Sequence, residues 1–244
     1  MPFIMKKNKH IRMKQVYLFF LIVAFSLSSC QKDELALPSE VFFEFGMQPL
    51  EGGDDKVLQS SQPSLTINSG MLIVDAIEFD GRRNQGDDVY FISNFSEKLV
   101  ARLNNQETNF NVTFDIPQGI YHRVDVIFHI ESDQTPIVLE GELTFGLQNR
   151  IPVRFEYKFS DQITVKAKAK QGHEVVLRKD KLNIARAQLN AQLLFRFINP
   201  SVITNGNFVN FNGEETLLIN EHNNIDIFNQ LASRIGNSFE VVFE

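Results

Sequence analysis

The chain has no tryptophan and a single cysteine, Cys30. One sulfur excludes an internal disulfide and any multi-thiolate metal cage. The missing tryptophan weakens a glycan-binding reading, because sugar sites stack pyranose rings on flat aromatic faces with a wet polar edge. Beyond the N-terminal segment only Tyr90, Tyr121 and Tyr157 remain for that role, and the phenylalanines alternate along strands as core residues do. Histidine is scarce too. His122, His129, His173 and His222 lie beyond the first 29 residues, and positions seven apart on one strand point to opposite faces unless a bulge intervenes. The chain has no H-E-x-x-H, no G-x-S-x-G and no glycine-rich phosphate loop, since Gly52-Gly53 runs into Asp54-Asp55. No metal, no cofactor and no catalytic residue is expected, which makes an enzyme the least favoured reading.

What the N-terminus does contain is ordered. Lys6, Lys7, Lys9, Arg12 and Lys14 precede the apolar-rich run Val16 to Leu27. A bilayer-spanning helix needs about 20 such residues, so this shorter run is expected to be a signal peptide over residues 1–29. Five of the 24 basic residues and none of the 30 acidic ones lie there, leaving the remainder with a net charge of −11. Such a body repels phosphate backbones, so nucleic acid is not an expected partner, and anionic lipid headgroups are disfavoured by the same overall field.

Leu27-Ser28-Ser29-Cys30 resembles the bacterial lipobox, with leucine three places before the cysteine and small residues beside the cut. The resemblance implies cleavage before Cys30, diacylglycerol on its sulfur and acylation of its new amine. Two or more acyl chains give durable attachment, at about 0.8 kcal/mol per buried CH₂. Gln31-Lys32-Asp33-Glu34 is similar to the short lysine and acid tag after the lipidated cysteine in surface lipoproteins of Bacteroidetes-type bacteria. It implies a lipid-anchored outer-membrane protein displayed on the cell surface. Residues 30–40, with Pro38, are expected to form a tether of at most ~35 Å.

From Val41 onward the dominant signal is period two. Phe110, Val112, Phe114 and Ile116 alternate with polar residues, Pro117-Gln118-Gly119 supplies a turn, and Tyr121 to Glu131 returns as the partner strand. Other strands are expected at 41–45, 72–79, 89–93, 98–103, 137–145, 151–159, 163–169, 175–178, 182–188 and 239–243. Ten or more short strands without a linker predict one mainly β domain over residues 41–244, an antiparallel β-sandwich. Two short helices are expected near its end, Ala191 to Ile198 behind an Asn190 cap and Ile225 to Ile235. Met47 to Pro63 and Asn199 to Thr216 read as long loops. The phrase from Phe114 to Tyr121 resembles strand-turn-strand segments of Ig-like and transthyretin-like sandwiches, a resemblance that brings no catalytic residues.

Two surface features compete as sites. In Phe79 to Phe91, Asp80, Arg82, Arg83, Asp87 and Asp88 crowd one loop, either as a ligand loop or as a hairpin tip with an internal arginine–aspartate network. The spacing is not that of an EF-hand loop. Arg154, Lys158, Lys166, Lys168 and Lys170 would form a basic stripe if 151–170 is a hairpin, either as a partner surface or as a solvated face. The expected function is a non-catalytic binding or structural module, adhesin-like or an accessory subunit, with a protein or a glycan as partner. The alternative is a glycan- or nutrient-capture lipoprotein serving an outer-membrane transporter.

Overall fold

The computed structural model describes residues 34–48, 63–104, 111–145 and 149–244. Cys30, the expected signal peptide and the Asp54-Asp55 pair lie outside the described residues. Among those described, the chain is a mainly β sandwich of fourteen strands. A five-stranded sheet contains β1 (Pro38–Gln48), β4 (Asn111–Pro117), β9 (Lys168–Ala169), β11 (Asn183–Asn190) and β14 (Phe239–Phe243), in the order β4-β1-β11-β14-β9.

The larger, nine-stranded sheet is organised by β2 (Ser64–Arg83) and its hairpin partner β3 (Val89–Asn104). Along its other edge β2 pairs first with β6 (Ile137–Phe145) and then with β5 (Gly119–Ile130), so β5 and β6 follow one line. The next line out repeats the break: β7 (Asn149–Tyr157) pairs with β6 and β8 (Asp161–Lys166) pairs with β5. β10 (Val175–Leu177) borders the start of β5, while β13 (Glu214–Ile219) and β12 (Val209–Phe211) extend the sheet beyond β7.

β2 stays inward-facing over twenty residues only by changing phase twice. Ile67, then Leu72 and Val74, then Ile77 and Phe79 are buried, and the shifts fall at Asn68 and Asp75, where the register slips. At the second bulge the four residues Phe95 to Lys98 of β3 stand opposite Asp75 alone.

The two sheets meet through phenylalanine. Phe45 packs on Phe128 at 5.8 Å, Phe91 on Phe114 at 5.7 Å and Phe128 on Phe239 at 6.1 Å. Where the smaller sheet stops, short helices cover the larger one. α1 (Ala191–Phe195) is capped by Asn190, whose side chain accepts from the Leu193 N–H. α2 (Pro200–Thr204) is capped by Asn199, and α3 (Ile225–Ala232) sets Phe228 against Phe155 and Tyr157 of β7.

Several expectations change in detail. Three helices stand where two were expected, because Pro200 both ends the segment after α1 and opens α2, its missing N–H costing nothing at a first helical turn. The expected loop from Asn199 to Thr216 holds α2, β12 and the start of β13. Ladders β1–β11, β7–β13 and β9–β14 run parallel within the otherwise antiparallel fold. Residues 151–170 are not a hairpin: β7 and β8 pair with β6 and β5, and β9 crosses to the smaller sheet. No helix among the described residues is long and apolar enough to cross a membrane.

Candidate functional site

The charged loop between β2 and β3 is a hairpin tip whose charges face one another. The Arg82 guanidinium bonds Asp88 at 2.8 Å and lies 3.3 Å from Asp80. Asp88 also accepts from the Arg83 backbone N–H at 3.2 Å. These contacts, the Arg82 hydrogen bond foremost, hold the Asp88 carboxyl below its ordinary range. Gly86 takes the positive φ of the turn.

Arg83 leaves the tip and ties it to the start of the chain. Its Nε donates to the Asp87 carbonyl at 2.6 Å and its Nη1 donates to the Leu35 carbonyl at 2.6 Å. The Gln118 backbone N–H donates to the Leu37 carbonyl at 2.9 Å, and the Gln118 side chain donates to the Glu34 carbonyl. Residues 34–38 are therefore held against the tip and the Pro117–Gly119 turn. β1 starts at Pro38, three residues before the sequence expectation. The five candidate residues share the end of the sandwich from which the N-terminal segment leaves.

Tyr121 closes the same end. Its ring is buried edge-on to Phe79 at 5.8 Å, and its hydroxyl donates to the Pro117 carbonyl. A Cβ on Gly81 would stand 2.7 Å from that ring, so glycine is required there by close approach. Burial pushes the phenol up to about 12.

The histidines do not gather. β5 carries a bulge at His122, where the register slips. His122 meets the Asn84 side chain at 3.1 Å, whereas His129 meets Glu78 at 3.0 Å. Among the described residues, no group of three or more histidine, cysteine or acidic side chains is placed to hold a metal ion.

The expected basic stripe is dispersed. Arg154 of β7 pairs with Glu140 and with Glu156, and lies 5.2 Å over the Phe211 ring. Lys168 and Lys170 pair with Glu240 and Glu244 of the smaller sheet. A cluster the sequence reading missed sits at the second bulge of β2. Lys98 bonds Asp75 at 2.7 Å and Asp133, with Glu131 at 3.5 Å. Hydrogen bonding to Asp133 and Asp75 raises the Lys98 ammonium above its ordinary range. The ammonium lies amid three carboxylates that pin the β3 bulge to the β5–β6 break.

The opposite end of the sandwich holds a cavity of ≈ 280 Å³ lined by Leu65, Leu143, Phe195, Ile198 and Ile203, with Gln192 and Arg196 also on its wall. Beside it Phe197 is exposed, with the Arg196 and Arg234 guanidinium groups each 5.3 Å from its ring. An apolar cleft with a few polar groups is the usual form of a small-molecule site. Its lining comes from segments far apart in sequence, and only the apolar face of α1 hinted at it.

No protein-family profile, curated protein or solved structure matches the chain. The functional reading therefore rests on the residues and their arrangement.

Proposed function

We propose that the chain is a lipid-anchored outer-membrane protein, displayed at the cell surface, whose sandwich acts as a non-catalytic binding or structural module. The lipobox-like Leu27-Ser28-Ser29-Cys30 supports the anchor, and Gln31 to Glu34 supports surface display. The observation that carries the module reading is the docking of residues 34–38 on the hairpin-tip end. Four residue steps separate Cys30 from Glu34, a span of at most about 14 Å, less than half of the ~35 Å that the sequence alone implied. An acylated Cys30 then holds the body close to the bilayer with one end toward it. The opposite end, with the α1 to α2 region and its cavity, projects outward and does the recognising.

This orientation reassigns the loop containing Asp80, Arg82, Arg83, Asp87 and Asp88. It serves the module as the clamp that fixes the tether, through the Arg83 bond to Leu35, rather than as its outward binding loop. The ≈ 280 Å³ cavity favours the capture alternative for a nutrient with an apolar part. Calorimetric titration with fatty acids and with oligosaccharides separates these ligand classes.

Palmitate labelling tests the anchor. Label is expected in the wild type and lost in Cys30→Ala; label that persists in the variant rejects the reading. Protease shaving of intact cells tests the display side, with cleavage expected, and complete protection would assign the body to the periplasmic face.

A further inference from the structure

The tether end gathers exposed aliphatic residues and unpaired cations around the exit of the chain. Val176 of β10 and Ile120 of β5 are directly paired across the ladder, side by side on one face, and each is 45% exposed. Leu182, at the mouth of β11, is 67% exposed, and Leu37 of the tether is also open to solvent. Between Val176 and Leu182 runs Arg178-Lys179-Asp180-Lys181. None of its three cations makes an ion pair among the described residues, whereas Lys168, Lys170 and Arg186 nearby are all paired.

This loop is held in shape from within. Asn183 is buried, and its amide donates to the carbonyls of Glu40, Arg178 and Lys181 while its oxygen accepts from the Arg178 N–H. The Lys179 N–H donates to Gln118, the same side chain that holds Glu34. The cations, the exposed aliphatic residues and the exit of the chain are thus parts of one hydrogen-bonded end. The acids there are Asp180, Asp87, Glu40 and Asp115, all exposed, Glu34 on the tether, Asp80 and Asp88 engaged by Arg82, Glu174 held by Asn84, and Glu244 paired with Lys170.

We propose that this end is a membrane-contact surface, with Arg178, Lys179 and Lys181 on lipid phosphates and Leu182, Val176 and Ile120 at the headgroup boundary. The proposal rests on the anchored reading of Cys30. A tether of at most about 14 Å keeps this end within that distance of the bilayer. Unpaired cations with aliphatic residues beside them are what an interfacial surface requires, because long basic side chains lay their stems on apolar surface and keep their charge among the phosphates. The net charge of −11 disfavours anionic lipid for the molecule as a whole, and the acids at this end offset its three unpaired cations, so Arg178, Lys179 and Lys181 act as individual phosphate contacts within the screening length of about 10 Å while the aliphatic residues carry the insertion.

The test uses full-length acylated protein in vesicles of phosphatidylcholine containing phosphatidylglycerol. With Cys30 acylated, Leu182→Cys supplies the one free thiol for a polarity-sensitive fluorophore, Val176→Cys is a second probe on this end, and Leu193→Cys is the control on the opposite end. A nitroxide carried on the lipid is expected to quench the probes at 182 and 176 several-fold more than the probe at 193. Reversal of Lys179 and Lys181 to Glu, or removal of the phosphatidylglycerol, is expected to reduce that quenching. Equal quenching at the two ends, or no response to charge reversal, overturns the contact surface while acyl mass on Cys30 leaves the anchor standing. Absence of acyl mass on Cys30 overturns both.

Discussion

Single side chains do much of the closing work in this fold, and most of them are asparagines. Asn183 satisfies four backbone groups, Asn190 and Asn199 cap helices, and Asn220 accepts from the backbone N–H groups of His222 and Asn223. Asn224, in the left-handed region, donates to the carbonyls of Asn207 and Leu218. Asn183→Ala leaves half-buried backbone groups without their partner and is expected to cost about 1–2 kcal/mol in denaturant unfolding. Tyr121 gives a prediction with a sign. Its folded pKa is raised to about 12, above the value of about 10 expected in the unfolded chain. The folded state therefore holds this proton more tightly, so the contribution is fully present below pH ~10 and is lost as pH rises toward 12. Burial likewise raises Tyr157, whose hydroxyl donates to Asp161. Absorbance titration is expected to show both phenols ionising only as the protein unfolds in alkali, and Tyr121→Phe to remove one of these steps.

Element boundaries show how far residue patterns reach. The 117–119 turn and the strands on either side of it were legible, because alternation is unbroken through Ile116, proline and glycine mark the corner, and β5 stays rich in apolar residues although a bulge at His122 interrupts its alternation. The first half of β2 was not, since the bulge at Asn68 inverts the side-chain phase and a period-two pattern cannot be followed through it. β13 was missed for another reason. Leu217, Leu218 and Ile219 are all buried, and a strand covered on both faces shows a continuous apolar run rather than alternation. A signal was nonetheless present: Asn212-Gly213, both with positive φ, is the preferred two-residue hairpin turn and leads straight into that run. Gly141 faces the Asn68 bulge, where a Cβ would come within 1.9 Å of the Thr66 carbonyl oxygen. Gly141→Ala is expected to cost about 1–3 kcal/mol or prevent folding. Gly213→Ala meets no neighbour and is expected to cost about 1 kcal/mol from backbone strain alone. At the second bulge, Lys98→Gln leaves Asp75, Glu131 and Asp133 without their shared cation. Its melting temperature is expected to fall below that of Asp133→Asn, and adding Asp75→Asn to Lys98→Gln is expected to restore part of the loss.

At the scale of the molecule, charge is sorted by place. Hydrogen bonds from Arg82, Lys98 and Lys170 hold Asp88, Asp133 and Glu244 below their ordinary ranges. Carboxyls depressed in the folded state favour folding above their unfolded pKa values of about 4 and lose that contribution as pH falls below them. Thermal stability is therefore expected to be flat between pH 6 and 8 in this respect, to decline below pH ~4, and to decline less in Arg82→Gln, which has less to lose. Neighbouring residues sufficed for the β class, the turn at 117–119 and the Asn190 cap, because each is a local pattern. Tertiary structure alone decided that Arg83 reaches Leu35, that β7 and β8 part company, that three carboxylates converge on Lys98, and which end of the sandwich the chain leaves from. Those outcomes depend on partners tens of residues away and on bulges that reset register, and no local pattern encodes either.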